Sequence, residues 1–380
     1  MNEKEIAEIR RRFRPEKNNI SQIRGCFVSA EGNIVSEFHQ SMAMMPAEES
    51  ENFLALLKRT LSGSLGKNLI DIAFQNRQVV DSEEHRLLMR LRDSHLGDEE
   101  ALHRLYDTII GSVSMEENYL ILIAYDSYDI PFRGRDGSRL PDASRDMYSY
   151  VLCSICPTKL PKPALSYLAA ENTFQTAAGD FLVAPPKMGF LFPAFDDRCT
   201  NLYNALYYTK DPADSHEALI DALFKLEAPM PAVRQREVFQ EILRESLGED
   251  CSFDTVSALQ NNLARLIQLH KEDKESEPLT LSKNQLGEIL RETGATDRQV
   301  ACFCEAFQEN FGENRRLSPG NLVDVKQIHV VLPDVKIQVA ADRQELLDAK
   351  IIDGLRYITI LAQDGVELGG MAVNITAPKD

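Results

Sequence analysis

The sequence predicts an α+β fold in several domains: a mixed-sheet N-terminal module, a helical middle and a small β-rich C-terminal domain. Three observations carry this. Strand-like and helix-like runs follow one another without regular alternation in the first half, which argues against a doubly wound parallel sheet. Apolar residues recur at helical spacing over residues 215–312, and period-2 alternation returns with Val335, Ile337 and Val339. The 380-residue length suits two or three domains, at roughly 100–200 residues each. The expected boundaries are an α+β module over 1–211, a helical segment over 212–275, a helical pair over 280–317 and a β-rich domain over 318–380.

In chain order, residues 3–13 place Ile6, Ile9 and Phe13 on one helical stripe, and Pro15 closes it. Residues 23–29 and 34–38 are β-like runs around Gly32 and Asn33, which tolerate the positive φ of a tight hairpin. Pro46 opens a helix striped by Phe53, Leu56 and Leu57, and 69–74 is a short strand. Asp81 with Glu84 fits an N-cap and its N3 partner for a helix through Leu87, Leu88 and Leu91, and another helix starts at Asp98. Residues 119–125 are apolar on both faces, as in a buried central strand. Further strands are expected at 147–155, 164–168 and 188–195, cut by prolines, while 202–208 fits helix or strand.

Beyond Asp211-Pro212 the pattern changes. Leu219 and Leu223, then Phe239 and Ile242, then Leu259, Leu263 and Leu266 stripe three helices joined by short connections. Residues 271–277 are dense in charge and read as a helix end and linker. Ser282 with Gln285 and Thr296 with Gln299 form two capping boxes, each opening a helix. Asp353-Gly354 between two apolar runs is a two-residue hairpin signal. The expected tail is a small β-domain, barrel-like or packed on the helices.

Charge and composition narrow the function classes. The formal net charge is −17, with 42 Lys+Arg against 59 Asp+Glu. Such a surface repels nucleic acid and anionic lipid except through a local basic patch. Residues 1–14 hold no apolar run of signal-peptide type, and no stretch approaches the roughly 20 apolar residues of a membrane span. The seven cysteines are scattered and odd in number, which suits reduced thiols and a cytoplasmic location.

Several strings stand together in this chain: residues 8–19 with Arg10, Arg11 and Arg12 before Phe13 and Pro15; Gly63-Ser64-Leu65-Gly66-Lys67-Asn68; Cys153-Ser154-Ile155-Cys156-Pro157; residues 189–198; and Asn204-Ala205-Leu206-Tyr207-Tyr208. In this combination the chain resembles a bacterial family catalogued as domain of unknown function 4317. The resemblance runs over nearly the whole chain and implies a cytoplasmic bacterial protein. It brings no catalytic residues with it.

Gly63 to Asn68 has two residues between its glycines where a phosphate loop has four, and Asn68 where that loop has Ser or Thr. It reads as a helix stop before a strand. Cys153 and Cys156 form a lone C-x-x-C in a strand-like run, without the second pair a structural zinc needs. None of the seven histidines stands in H-E-x-x-H. The acidic residues at strand ends carry more promise. Asp126 and Asp129 follow one apolar strand, and Asp196, Asp197 and Arg198 follow another. Were these strands neighbours, the carboxylates would converge to hold Mg²⁺ or Mn²⁺, with Arg198 and the loop residues Arg133, Arg135 and Arg139 on a phosphate. The basic cluster Arg10, Arg11, Arg12, Arg14 and Lys17 is where RNA or an acidic partner would dock.

With no motif passing both spacing and context, the leading expectation is a non-enzymatic protein-interaction or adaptor protein, with no cofactor, no resident metal and no membrane. The alternative is a metal-dependent phosphoester hydrolase built on Asp126, Asp129, Asp196, Asp197 and Arg198. A third reading is RNA or ribosome association through the N-terminal arginines.

Overall fold

A computed structural model describes residues 1–133, 139–140, 146–162, 164–168, 170, 172–177, 179–273, 277–324, 327–362 and 365–373. The chain divides into two compact units, Met1–Arg234 and Gln235–Asp380.

The first unit runs α1 (Glu3–Arg10), β1 (Gln22–Val28), β2 (Ile34–Ser41), α2 (Ala47–Arg59), β3 (Leu69–Ala73), α3 (Asn76–Asp81), α4 (Glu83–Asp93), α5 (Glu99–Ser112) and β4 (Tyr119–Asp129). After β4 come the short pair β5 (Phe132–Arg133) and β6 (Arg139–Leu140), the long β7 (Met147–Lys159) and the hairpin β8 (Ala164–Leu168) with β9 (Thr173–Ala177). The unit ends with β10 (Leu182–Val183), β11 (Met188–Phe192), β12 (Ala194–Asp196), β13 (Cys199–Asn201), β14 (Asn204–Thr209) and α6 (Glu217–Phe224). One eight-stranded sheet, in the order β2-β1-β4-β7-β11-β14-β3 with β10 also on β7, forms its centre. The expected class, α+β, holds. The sheet expected as mixed has antiparallel pairing at every junction. Strands joined by hairpins or by a helix returning on the same side need no parallel crossover.

Strand alternation divides the core into two layers. Ile121, Ile123, Val151, Cys153, Phe190 and Tyr207 face α4, α5 and α6. Leu122, Ala124, Leu152, Cys156, Leu191 and Leu206 face α1 and α2. This explains why residues 119–125 read apolar throughout: β4 is covered on both faces. It also settles the geometry of the C-x-x-C. Three residues apart on a strand, Cys153 and Cys156 point to opposite faces. Gly25 is required where it stands, because a Cβ there would lie 1.9 Å from the Ile121 carbonyl oxygen and 2.6 Å from the Phe38 ring. Phe38 therefore lies flat across β1.

A boundary at 211 was expected, yet α6 lies beyond it and buries Leu219, Ile220, Leu223 and Phe224 in the first unit's core. A stripe of four such residues signals burial without saying against what. At α4 the cap is Ser82, whose hydroxyl accepts from the His85 N–H at 3.1 Å. Asp81, expected as that cap, instead ends the short helix α3.

The second unit holds α7 (Ala232–Leu247), α8 (Phe253–Asp273), α9 (Lys283–Glu292), α10 (Asp297–Phe311) and α11 (Pro319–Leu322). Both capping boxes form: Ser282 with Gln285 on α9 and Thr296 with Gln299 on α10. Phe303 and Phe307 of α10 are fully buried, Phe303 edge-on to Phe239 of α7 at 6.0 Å. Of the charged run at 271–277, residues 274–276 lie outside the described residues, and α8 extends to Asp273. The tail forms three hairpins: β15 (Gln327–Val331) with β16 (Lys336–Ala340), β17 (Leu347–Ile352) with β18 (Leu355–Ile360), and β19 (Val366–Leu368) with β20 (Met371–Val373). At the turn between β17 and β18, Asp353 and Gly354 have φ of 51° and 78°, the two positive values that a tight two-residue turn requires. Among the described residues each hairpin is its own two-stranded sheet, so of the two arrangements expected for the β-rich tail, barrel-like or packed on the helices, they form no closed barrel.

Candidate functional site

Several of the polar residues singled out in the sequence gather around α1. Asn2 and Glu5 form a capping box, and Ile6, Ile9 and Phe13 bury one face of the segment against the sheet. That seating leaves Glu8 and Arg12, four residues apart, directed at the ends of the strands below. Arg12 donates from Nε to Asp126 Oδ2 at 3.0 Å and from Nη2 to Asp126 Oδ1 at 3.1 Å. It also reaches the Ser127 carbonyl at 2.9 Å, and its guanidinium lies 4.5 Å over the Tyr128 ring. The Asn19 N–H donates to Asp126 Oδ1 at 2.8 Å and the Tyr150 hydroxyl to Oδ2 at 2.7 Å. Tyr150 is the register partner of Asp126 on β7, and Tyr148 stacks on it at 4.8 Å.

The electrostatics follow from burial. Asp126 is 1% and Arg12 12% exposed. Burial works against the Arg12 charge, but the hydrogen bonds and charge of Asp126 prevail and raise its pKa. Burial holds the Tyr150 phenol well above its usual range, reinforced by the Asp126 charge. A carboxylate offers about four lone-pair sites, and four donors already occupy those of Asp126.

Asp196 stands on a different strand. Among the described residues β12 pairs with β13 alone, whereas β4 lies between β1 and β7. Asp196 takes the Met1 ammonium and, at 2.6 Å, the side-chain amide of Asn201. Asp197 and Arg198, with φ of 49° and 57°, form the tight turn between β12 and β13. Arg198 donates to Glu8 at 3.0 Å and to the Pro131 carbonyl at 3.2 Å. Glu8 also accepts from the Tyr128 hydroxyl at 2.7 Å. Asp129 is exposed at the end of β4. Thus α1 and the turn just after it link β4 to the β12–β13 turn, Arg12 holding Asp126 while Glu8 holds Arg198. Each acid brought near α1 faces a cation or amide of the chain itself. Arg133 and Arg139 fall on β5 and β6, and Arg135 lies outside the described residues. Among the described residues, no group of three or more His, Cys, Asp or Glu is placed to hold a metal ion.

The basic cluster divides in the same way. Arg12 is taken up by Asp126 and Arg10 reaches the Leu61 carbonyl at 3.5 Å, leaving Arg11, Arg14 and Lys17 on the exposed side. The Gly63–Asn68 loop is fastened by Asn68, whose amide donates to the Thr209 and Lys210 carbonyls at 3.1 Å each. That is the turn between α2 and β3, with Gly63 and Gly66 at positive φ. Sequence reasoning missed an open cleft of 340 Å³ lined by Arg92, His95, Tyr125, Ser149 and Thr200. There His95 stacks on Tyr125 at 4.2 Å, and the Tyr125 hydroxyl donates to Ser149 at 3.1 Å. It also missed Asn19, Tyr148 and Tyr150, for which only the strand register would have provided a signal.

No helix of the described residues is long and apolar enough to cross a membrane. The chain matches the family model described as Domain of unknown function (DUF4317) over residues 1–371, and it belongs to that family. No curated protein matches it.

Proposed function

We propose that this family member is a non-enzymatic protein-interaction protein that engages its partner through the tail hairpins of the second unit. One observation carries the reading. Ile351 is 75%, Met371 69%, Val331 68% and Leu355 61% exposed, all within residues 327–373. On β17 and β18 the exposed Ile352 and Leu355 stand directly opposite each other beside Ile351, and exposed apolar residues that gather in a patch mark interaction sites. Isolated two-stranded hairpins are also marginal in water, so strands added to their open edges would stabilise them as they bind. The net charge of −17 favours a partner with basic flanks.

The readings based on Asp126 and on the N-terminal arginines gain less support. Asp126 has its lone pairs filled by donors, and Arg12 is spent on it. The test uses the full chain as bait, with cross-linking and peptide mapping, beside the double variant Ile351→Lys/Leu355→Lys. Cross-links should fall within 327–373 and be lost in the variant, while its circular dichroism and melting temperature stay unchanged. Partner capture indifferent to the variant would refute the reading. A saturable Mn²⁺-dependent rise in melting temperature, abolished by Asp196→Asn/Asp197→Asn, would favour the phosphoester enzyme instead.

A further inference from the structure

We propose that the chain self-associates through β2, which pairs antiparallel with β2 of a second copy about a two-fold axis at Phe38, so that one sheet runs through both subunits. This surface lies in the first unit and is independent of the tail hairpins.

The edge itself is the first argument. β2 ends the eight-stranded sheet, with β1 on one side and no strand on the other among the described residues. Natural edge strands are kept from pairing by proline, by lysine or other charges, or by a bulge. The eight residues of β2 include neither proline nor lysine nor arginine. The one irregularity is a bulge at the start of β2 itself, where Phe27 pairs Ser36 and Val28 pairs Ile34 and Val35 is the extra residue; beyond it six consecutive pairs, from Gln22–Ser41 to Phe27–Ser36, remain in register. Phe38, laid flat over Gly25, keeps that stretch on the sheet. Val35 is 61% exposed.

Polar complementarity, an acid opposite a ring N–H donor, names the occupant. With the axis at Phe38, Glu37 stands directly opposite His39 of the second copy and His39 opposite its Glu37, while Ser36 faces Gln40. Directly opposed residues of opposite charge or matched hydrogen bonding stabilise a strand pair, and like charges oppose it. Moving the axis to Glu37 would set two carboxylates against each other. The strand is thus complementary to itself in one register, as a two-fold contact requires. Within the subunit Glu37 stands 3.5 Å from His103 and is 39% exposed, and His39 meets the Gln22 side chain at the surface. Both retain an outward side.

The strength of the contact is bounded on two sides. A single strand pair buries less than the roughly 800 Å² per partner of a standard interface. Two chains of −17 also repel. The dimer should dissociate in the range of roughly 1–100 μM and tighten as salt screens the repulsion.

Sedimentation equilibrium of the full chain over this concentration range tests it. Glu37→Arg and His39→Glu should each weaken association by about tenfold or more. The double variant Glu37→Arg/His39→Glu, which again sets an acid opposite a donor with the places exchanged, should return to within about threefold of the starting protein. Hydrogen exchange should slow at residues 34–41 as concentration rises. Ile351→Lys in the tail should leave association unchanged. A chain that stays monomeric at roughly 100 μM, single variants that associate normally, or a double variant weaker than either single would each overturn the proposal. So would loss of association in Ile351→Lys alone.

Discussion

Asp126 is 1% exposed and accepts four hydrogen bonds, two of them from Arg12. Removing one member of a buried ion pair leaves the other charge desolvated and unmatched, which costs about 3–5 kcal/mol. Asp126→Asn keeps the shape and the acceptor for Tyr150 but strands the Arg12 guanidinium. Urea denaturation should show a loss of that size. Tyr150→Phe removes one hydrogen bond to a charged group and should cost less, about 1.5–3 kcal/mol. Equal losses in the two variants would mean that the ion pair is not what holds α1 down. Asp126 could be picked out in the sequence because an acid directly follows an apolar strand. Its partners could not, since Arg12 is 114 and Tyr150 24 residues away. Those distances close only once the strand register is known.

Helix caps were the most legible elements, because a cap is decided within four residues. Both boxes in the second unit form as read, and Asp98 caps α5 by accepting from the Ala101 N–H at 3.0 Å. Before α4 the sequence offers two caps, Asp81 and Ser82, and only the short helix α3 decides between them. The Asp98 carboxylate is held below its usual range first by the backbone N–H of Ala101 and then by Arg90. A carboxylate with a depressed folded pKa stabilises the fold above the ordinary carboxylate value of about 3.9. That contribution fades as pH falls through the depressed value. Asp98→Ala should therefore melt below the starting protein near neutral pH. The gap should narrow as pH drops below the carboxylate range, and thermal melts across an acid series would show it. A gap constant with pH would remove the charge from the capping argument.

At the scale of the molecule, the class was readable while the division was not. Composition shifts near residue 211, yet the units part after Arg234 because α6 fills the core behind Phe190 and Tyr207. Periodicity shows that a helix buries a face and leaves open which surface receives it. The same layering sorts the seven thiols, all of them free. Cys26, Cys153 and Cys156 are buried in the first unit's sheet, and Cys199 and Cys302 are exposed. Burial pushes the Cys26 and Cys156 thiols up to about 12 and Cys153 well above its usual range, so none supplies thiolate in the native state. Ellman titration of the native protein should show two fast thiols, removed by Cys199→Ser/Cys302→Ser, and a slower response from the half-buried Cys251 and Cys304. The three sheet thiols should stay silent until the first unit unfolds. They should then react together at one urea midpoint, since β1 and β7, which carry them, flank β4 in a single sheet. Early reaction of Cys153 or Cys156 alone would mean that one helical layer opens without the other, and the two-sided core would not be the cooperative body described.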